Sequence, residues 1–471
     1  MQSDKKGCVR EKLKRLTQPL QGPLIYGIDP KLIRKHMKTK VLSAFNLIMV
    51  AVILAFTGCN DEISEKTLVA EPVYMSYDDL RASVKIDVPE EISEPGKIYF
   101  KDSYIFINEI RKGIHVIDNS NPASPKKIAF INIPGNVDMA IKANMLFVDS
   151  YVDLVALDIS DMSNIKEKAR VKNIFPYLLS PLPEDIICQT NEVNNNLGVV
   201  VNWEVKKVSR EGLNGNSNAQ QMRFYEASGS KDFIGLAGAR NASVNSGGGP
   251  TGIGGSMARF TINEDILYMV DQSTLRILDI SSLTNPTLLA EKSIGWNIET
   301  LFLYNNKLFF GTQTGMIIYS VEAPSSPVFL SQYSHFKSCD PVVVEGDKAY
   351  VTLRGGNRCG DLESRLDILD ISNVASPKLL SSTLLTEPFG LGIDKSTLFV
   401  CDGSAGLKVF NASDPLKIAE NKLAEFKNIN TYDVIPVNGI LILIGKDGFY
   451  EYDYTNLKDI KQLSHISIKA K

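Results

Sequence analysis

The feature that most constrains this chain is an internal repeat. An apolar, strand-like run ends in Asp or a close substitute and is followed by a short polar turn, often with a proline. Most copies lie about 40 residues apart, and one gap spans about three such periods. The residues that end the runs, called anchors below, are Asp118, Asp158, Asp279, Ser320, Asp370, Asn411 and Asp453. Units this small cannot bury their own apolar faces, so they must stack on one another.

Each repeat holds four short stretches that are typical of β-strands. In the second repeat these are residues 137–141, 145–149, 154–158 and 167–172, separated by Asn, Asp, Ser and Gly turns. Apolar residues alternate or run continuously within them, with many Val and Ile, which argues against helices. Four strands in about forty residues is the pattern of a β-propeller blade.

We therefore predict an all-β chain with a single β-propeller of seven or eight four-stranded blades. Eight blades are favoured because the long gap holds a further strand-rich segment at residues 185–205. Residues 80–88 precede the first full repeat, and we expect them to add a strand to the last blade. Such a strand would lock the ring, and a closed ring leaves no open strand edges between blades.

The anchor side chains are interpreted as structural. An Asp or Asn at this place hydrogen-bonds a backbone N–H two residues further on, and the proline fixes the chain direction after the turn. The turn therefore accounts for the Asp without any chemistry. The Gly-rich stretch 247–255 precedes a strand rather than a helix, so it is interpreted as a flexible lid or linker and not as a dinucleotide-binding loop.

The third strands of the repeats read HVID, VALD, RILD and DILD, each followed by a polar turn. These residues resemble the LVIVD-repeat proteins, a family of exported bacterial propeller lipoproteins. The resemblance covers the chain from about Gly96 to the C-terminus. It departs from the pattern at Ser320, where the Asp is lost, and across residues 203–256. It implies a fold and a location, but no activity and no catalytic residues.

The N-terminal region has the layout of a lipoprotein signal peptide. Lys38 and Lys40 precede an apolar run at residues 42–56, which is short for a membrane-spanning helix. Small residues follow the run and lead to Cys59, which we predict to be the lipidated residue. The alternative is an uncleaved signal anchor that happens to contain a cysteine.

This interpretation divides the chain into four parts. Residues 1–36 are an upstream extension from a misassigned start, 37–58 the signal peptide, 59–79 a tether and 80–471 the propeller. The predicted location is the outer membrane or the cell surface, with the membrane as partner through the lipid anchor. The acidic cluster formed by Asn60, Asp61 and Glu62 is interpreted either as a surface-export signal or as a solvated linker, because two of its three residues are carboxylates.

The remaining cysteines fit an exported protein. Cys188, Cys339, Cys359 and Cys401 form no CxxC pair and no Cys/His cluster, which gives a zinc site little support. An oxidising compartment permits a disulfide. We predict one between Cys339 and Cys359, which would pin an enlarged loop of the sixth unit.

Three insertions interrupt the repeat, at residues 204–222, 228–256 and 354–364. In a propeller, the loops between the second and third strands lie on the same face as the loops that lead into the innermost strand. All three insertions fall in those two classes of loop, so they decorate one face. A rigid scaffold tolerates loop variation and uses it for binding, which makes this face the candidate binding surface. Tolerated insertion without function is the alternative.

A second feature emerges when the innermost strands are aligned on the anchors. One position, about 20 residues before each anchor, is mostly acidic, although Gly390 takes it in one unit. Its other occupants are Lys97, Asp138, Asp185, Arg259, Glu299, Asp340 and Asp433. We therefore expect a mostly acidic ring around the channel mouth. Converging like charges need a cation, a basic group or water. A divalent cation or a cationic ligand group is one interpretation; a water-filled channel lined by solvated carboxylates is the favoured one.

Two hypotheses of function follow. The first is a non-catalytic cell-envelope lipoprotein that binds a protein or glycan through its loop-rich face. The second is a metal-assisted polysaccharide-active enzyme that uses the acidic ring. A net charge of -3 without clustered Lys and Arg argues against nucleic acid as a partner. No cofactor is predicted apart from the divalent cation that the second hypothesis needs, and the sequence leaves the oligomeric state undetermined.

Overall fold

The computed structural model describes residues 66–177, 179–180, 189–190, 193–209, 251–334, 341–355 and 363–469. Within these ranges the regular secondary structure is nearly all β-strand, and the α-helix α1 (Tyr77–Ala82) is short. No helix in this described part is long and apolar enough to cross a membrane.

Seven four-stranded antiparallel sheets make up the described part of the ring. Blade 1 consists of β3 (Pro95–Lys101), β4 (Tyr104–Glu109), β5 (Gly113–Asp118) and β6 (Lys126–Asn132). Blade 2 consists of β7 (Met139–Lys142), β8 (Met145–Ser150), β9 (Asp153–Asp158) and β10 (Lys166–Val171). Blade 3 consists of β14 (Phe260–Asn263), β15 (Ile266–Val270), β16 (Thr274–Asp279) and β17 (Thr287–Ser293).

The second half of the chain supplies the other four blades. Blade 4 consists of β18 (Ile298–Tyr304), β19 (Lys307–Thr312), β20 (Gly315–Ser320) and β21 (Val328–Ser334). Blade 5 consists of β22 (Val342–Glu345), β23 (Lys348–Leu353), β24 (Arg365–Asp370) and β25 (Lys378–Leu384). Blade 6 consists of β26 (Leu391–Asp394), β27 (Thr397–Cys401), β28 (Leu407–Asn411) and β29 (Lys422–Phe426). Blade 7 consists of β30 (Thr431–Val437), β31 (Ile440–Gly445), β32 (Gly448–Asp453) and β33 (Lys461–Ser467).

The innermost strands of neighbouring blades contact one another around the whole circle, including β30 with β3. The middle strands of each blade are buried on both faces because a neighbouring blade covers each face, as in β8 and β9. Their sequences are therefore continuously apolar. The outer strands face solvent on one side and alternate between exposed and half-buried positions, as in β33. The predicted propeller is confirmed.

The favoured count of eight blades is wrong. The described end of the segment assigned to an extra blade, residues 199–205, lies in β12 (Val199–Ser209) outside the ring. There it pairs antiparallel with β1 (Lys66–Met75), while β11 (Gln189–Thr190) pairs parallel with the other edge of β1. Alternating apolar residues predict a half-buried strand, but they do not determine which sheet the strand joins. We call these three strands the accessory sheet.

The chain between the accessory sheet and blade 1 also differs from expectation. Residues 66–79, assigned to a tether, form β1 and the start of α1. Residues 80–88 do not join the last blade, because β2 (Lys85–Asp87) pairs with the outer strand β6 of blade 1. Among the described strands, none is exchanged between the first and last blades. Instead, Ile98 and Ile107 of blade 1 share a buried cluster with Ile435 and Ile442 of blade 7.

The anchor turns have the predicted geometry. Asp118 Oδ1 accepts hydrogen bonds from the backbone N–H of Ser120 at 2.9 Å and from its hydroxyl at 2.6 Å. The same bond to the backbone N–H two residues on recurs at the other anchors, namely Asp158, Asp279, Ser320, Asp370, Asn411 and Asp453. These side chains hold the turns together, which supports their structural interpretation.

Candidate functional site

One face of the ring carries the loops between the second and third strands and those leading into the innermost strands; we call it the loop face. The described parts of the three insertions are residues 204–209, residues 251–256, and residues 354–355 with 363–364. Residues 204–209 belong to β12 of the accessory sheet rather than to a simple loop. Residues 251–256 run into the centre of the ring, as described below.

The accessory sheet packs on the loop face of blade 2. Leu80 of α1 and Val199 of β12 form a buried cluster with Tyr151 and Val152, which lie between the second and third strands of that blade. Beside this cluster the buried carboxylate of Asp153 contacts two guanidinium groups. Arg81 Nε lies 2.9 Å from it and Arg170 Nη1 3.2 Å.

Burial alone would raise the pKa of Asp153, but the hydrogen bond from Arg81 and its other donors outweigh burial and lower it. The carboxylate is therefore ionised and fixes α1 against the rim of blade 2. Packing and this ion pair together make the accessory sheet a built part of the loop face.

Residues 251–258, which we call the axial segment, fill the axis of the propeller. β13 (Ile253–Gly254) pairs with the innermost strand β3 of blade 1. The N–H of Gly252 donates to Ile141 O of blade 2 at 3.0 Å. On the far side, Leu391 N of blade 6 donates to Ser256 Oγ at 2.9 Å and Leu301 N of blade 4 to Ala258 O at 2.7 Å. The segment thus joins innermost strands on opposite sides of the ring.

The glycines of the axial segment are needed for close packing. A Cβ atom on Gly252 would lie 2.2 Å from Tyr99 Cε1, and one on Gly254 would lie 2.9 Å from Tyr99 Cε2. The Tyr99 hydroxyl also donates to Gly252 O at 3.1 Å. The interpretation of residues 247–255 as a flexible lid or linker is therefore wrong for the described residues 251–255, where small residues let the backbone lie against an aromatic ring.

The ring residues around this axis alternate in charge. In blade order, from blade 7 through blades 1, 2, 3 and 4, they are Asp433, Lys97, Asp138, Arg259 and Glu299. The ammonium group of Lys97 contacts Asp138 Oδ2, which also accepts the backbone N–H of Arg259 at 2.5 Å. Arg259 Nε donates to Glu299 O at 3.1 Å. Three of these five charges are acidic, as expected, but Lys97 and Asp138 are paired and the axial segment lies within the ring, so this described part of the channel is not an open, water-filled mouth.

Asp433 differs from the other ring carboxylates. It is fully buried, and neither carboxylate oxygen has a hydrogen bond of normal geometry with any residue that the structure describes. Burial raises the pKa of Asp433 well above its ordinary range, and the nearby Lys97 offsets only part of that effect. Its side chain occupies the space that a side chain at Gly390 would take, since a Cβ there would lie 2.3 Å from Asp433 Oδ1.

Several predicted residues lie outside the described residues: Asp185, Asp340, Cys59, Cys339 and Cys359. Within the described ranges no group of three or more His, Cys, Asp or Glu side chains is arranged to hold a metal ion. Cys401 is buried and unpaired there. The binding role of the ring residues and the disulfide both stay predictions.

Sequence reasoning missed a second set of carboxylates on the loop face. Glu109, Asp149 and Asp402 lie within one residue of the end of the second strand of a blade. Each accepts two successive backbone N–H groups from the loop that leads into the innermost strand. Each carboxylate thus ties that loop to its own blade. An acidic residue at the end of the second strand in several repeats was the available signal.

The surroundings of these carboxylates set their pKa values apart. Burial raises the pKa of Asp149 to about 6, although the hydrogen bonds from two backbone N–H groups act in the opposite direction. At Glu109 burial also opposes ionisation, but the hydrogen bonds from His115 and Ser93 prevail and lower the pKa to about 2. Both groups are occupied by structural bonds and are not free for proton transfer.

Three large apolar side chains are exposed on the accessory sheet and in a loop-face turn. Val73 of β1 is 40% exposed and Leu197, just before β12, is 54% exposed. Trp296, in the loop that leads into blade 4, is 82% exposed and is followed by Asn297 in a left-handed conformation. Exposed aromatic side chains are enriched among residues that contact partners.

Comparison with known structures finds several distant similarities. They include a computationally designed protein, Ika8 (10% identity, TM-score 0.47, 81% of this chain and 91% of that chain), and the periplasmic gluconolactonase PpgL of Pseudomonas aeruginosa (10%, 0.48, 79% and 96%). BamB from Moraxella catarrhalis is also similar (8%, 0.40, 82% and 96%). At such identities the likeness concerns the fold alone. A comparison with curated proteins gives no match.

A family model matches the repeats themselves. The LVIVD repeat is found at residues 96–129, 137–173, 254–291 and 338–384. The first match covers most of blade 1, the second contains blade 2, the third covers most of blade 3 and the fourth contains blade 5. The chain is therefore an LVIVD-repeat protein.

Proposed function

We propose that this chain is a cell-envelope lipoprotein, anchored through Cys59, whose loop face binds a partner protein. The observation that carries the proposal is the contrast between the axis and the loop face. The axial segment and paired charges occupy the centre of the ring, whereas the loop face carries a built accessory sheet with exposed apolar side chains.

A filled axis favours binding over catalysis. Of the ring charges that could have formed a reactive centre, Lys97 and Asp138 are buried and engage each other. Small-molecule sites are usually concave and enclosed. A broad surface with exposed apolar and aromatic side chains is the form that protein-binding surfaces take, and this favours a protein over a glycan.

The partner is tested by capture from surface-labelled cells with the full chain as bait. Trp296→Ala and Leu197→Ala each remove an exposed apolar side chain from the proposed surface, and either should reduce capture by tenfold or more, since central contacts of an interface typically contribute about 2 kcal/mol. Phe329→Ala is the matched control, because Phe329 is 52% exposed but lies on the outer strand β21. Equal capture by all variants would contradict the proposal.

The anchor is tested separately. Cys59→Ser should abolish incorporation of a labelled fatty acid and release the chain from the membrane fraction. Incorporation that persists in this variant, or membrane retention without any incorporation in the wild type, would refute the lipid anchor while leaving the binding surface untouched.

A further inference from the structure

Two positions of the repeat recur at the interfaces between neighbouring blades, which we call seams. The first position lies in the third strand of one blade, two residues before its anchor. The second position belongs to the next blade and directly follows the anchor of that blade. At six seams both are apolar and lie in one buried cluster; the pairs are Val116 with Ile159, Ala156 with Ile280, Ile277 with Val321, Ile318 with Ile371, Ile368 with Ala412, and Val409 with Tyr454.

The seam between blade 7 and blade 1 breaks this rule at both positions. Glu451 and Asn119 occupy them, and both side chains are buried. Asn119 Nδ2 donates to Glu451 Oε1 at 2.7 Å, and Ser464 Oγ donates to Glu451 Oε2 at 3.0 Å. Each of these two positions is apolar at the six other seams, and the two polar residues that depart from this pattern hydrogen-bond each other.

A buried polar pair of this kind discriminates more than it stabilises. Glu451 placed against the apolar residue of any other blade would lose the bond from Asn119, and Asn119 would lose its acceptor. Leaving a buried polar group unsatisfied is more costly than replacing both partners by apolar groups. The pair therefore penalises wrong contacts of these two faces.

This seam is the one that most needs such discrimination. Each of the other seams joins blades that are consecutive in the chain. Blade 1 is the first blade and blade 7 the last, and no described strand belongs to both. While the ring is still open, the faces of blades 7 and 1 could also contact the equivalent faces of other blades or of a second copy, and head-to-tail contacts that do not close produce open assemblies. We propose that Glu451 and Asn119 specify the pairing of blade 7 with blade 1 that closes the ring.

No charged side chain balances Glu451 within the described residues that pack against it. Its hydrogen-bond partners, Asn119 from blade 1 and Ser464 from β33, are both neutral, and Ile442 of β31 lies opposite it in the sheet. Burial accordingly raises the pKa of Glu451 to about 7, against the two hydrogen bonds that lower it. Closure should therefore be weaker in alkaline than in mildly acidic solution.

The test replaces the polar pair by the kind of apolar pair found at the other seams. The full chain carrying Asn119→Ile and Glu451→Val is unfolded in urea and refolded by dilution, in detergent, over a range of protein concentrations. Size-exclusion chromatography with light scattering then gives the oligomeric fraction. We expect this fraction to rise several-fold above that of the wild type and to grow with concentration.

Two further variants separate specificity from damage. Ile318→Val with Ile371→Val changes the same two positions at the seam of blades 4 and 5 and should refold like the wild type. Exchanging the pair, with Asn119→Glu and Glu451→Asn, keeps a complementary pair and should also refold like the wild type, which keeps the test decisive should the apolar variant not fold. An exchanged variant that oligomerises more than the wild type, or an apolar variant that does not, would overturn the proposal.

Discussion

Met257 offers the sharpest test of how the axis is filled. Its side chain is 1% exposed and packs in the cluster that joins Ile98 and Ile105 of blade 1 to Ile435 and Ile442 of blade 7. Met257→Ala removes a buried thioether chain at a place where several strands hold the surrounding backbone fixed. The cavity would therefore collapse only in part, and we expect the free energy of unfolding to fall by about 2–4 kcal/mol.

The measurement is the urea dependence of far-ultraviolet circular dichroism, which reports the propeller strands. Val88→Ala is the control, because Val88 is 79% exposed and its truncation should change the unfolding free energy by less than about 0.5 kcal/mol. A loss of less than about 0.5 kcal/mol for Met257→Ala as well would mean that residues 251–258 are not part of the core, and the account of a filled axis would fail.

Three further predictions concern individual carboxylates. Because the pKa of Glu451 is raised to about 7 from an ordinary value of 4.5, the folded chain keeps a proton that the unfolded chain releases. The contribution of Glu451 to the free energy of unfolding should therefore fall by about 1–3 kcal/mol as the pH rises through this window, and Glu451→Gln should reduce the difference between urea titrations at about pH 5 and pH 8 by that amount. Asp402→Ala leaves two loop N–H groups and the ammonium group of Lys408 without their buried acceptor. Urea titration should therefore show that the free energy of unfolding falls by about 2–4 kcal/mol. An unchanged urea midpoint would contradict the proposed role of this carboxylate. Arg81→Ala removes one of the two guanidinium groups that contact Asp153. Limited proteolysis should then cleave residues 193–209 faster than in the wild type. An equal cleavage rate would show that the ion pair does not hold the accessory sheet in place.

The fold could be predicted because the repeat fixes local structure and packing at once. An Asp that bonds the N–H two residues on needs only its own turn, so the anchors and third strands follow from sequence. The blade count could not be predicted in the same way. The alternation in residues 199–205 is as compatible with a strand in the accessory sheet as with one in a blade, and the choice depends on the distant β1.

The candidate site shows the same division. Alignment on the anchors placed Lys97, Asp138 and Glu299 around the axis, because equal offsets from a repeated turn lead to equivalent places in the ring. It could not show that the axial segment fills the centre or that the ring charges pair, since both depend on contacts between blades. The Glu451–Asn119 bond is visible in sequence only as two exceptions to two apolar series, and their partnership becomes evident only when the ring is closed.

Hydrogen exchange of the backbone amides in residues 251–258, followed by mass spectrometry, tests the central claim most directly. Gly252 and Gly255 donate their N–H groups to the innermost strands of blades 2 and 1. We predict that peptides covering them exchange as slowly as peptides from the middle strands of those blades, because exchange there requires the ring to open. Exchange as fast as that of the exposed loop around Trp296 would show that the axis is open, and the argument for a binding rather than a catalytic propeller would lose its basis.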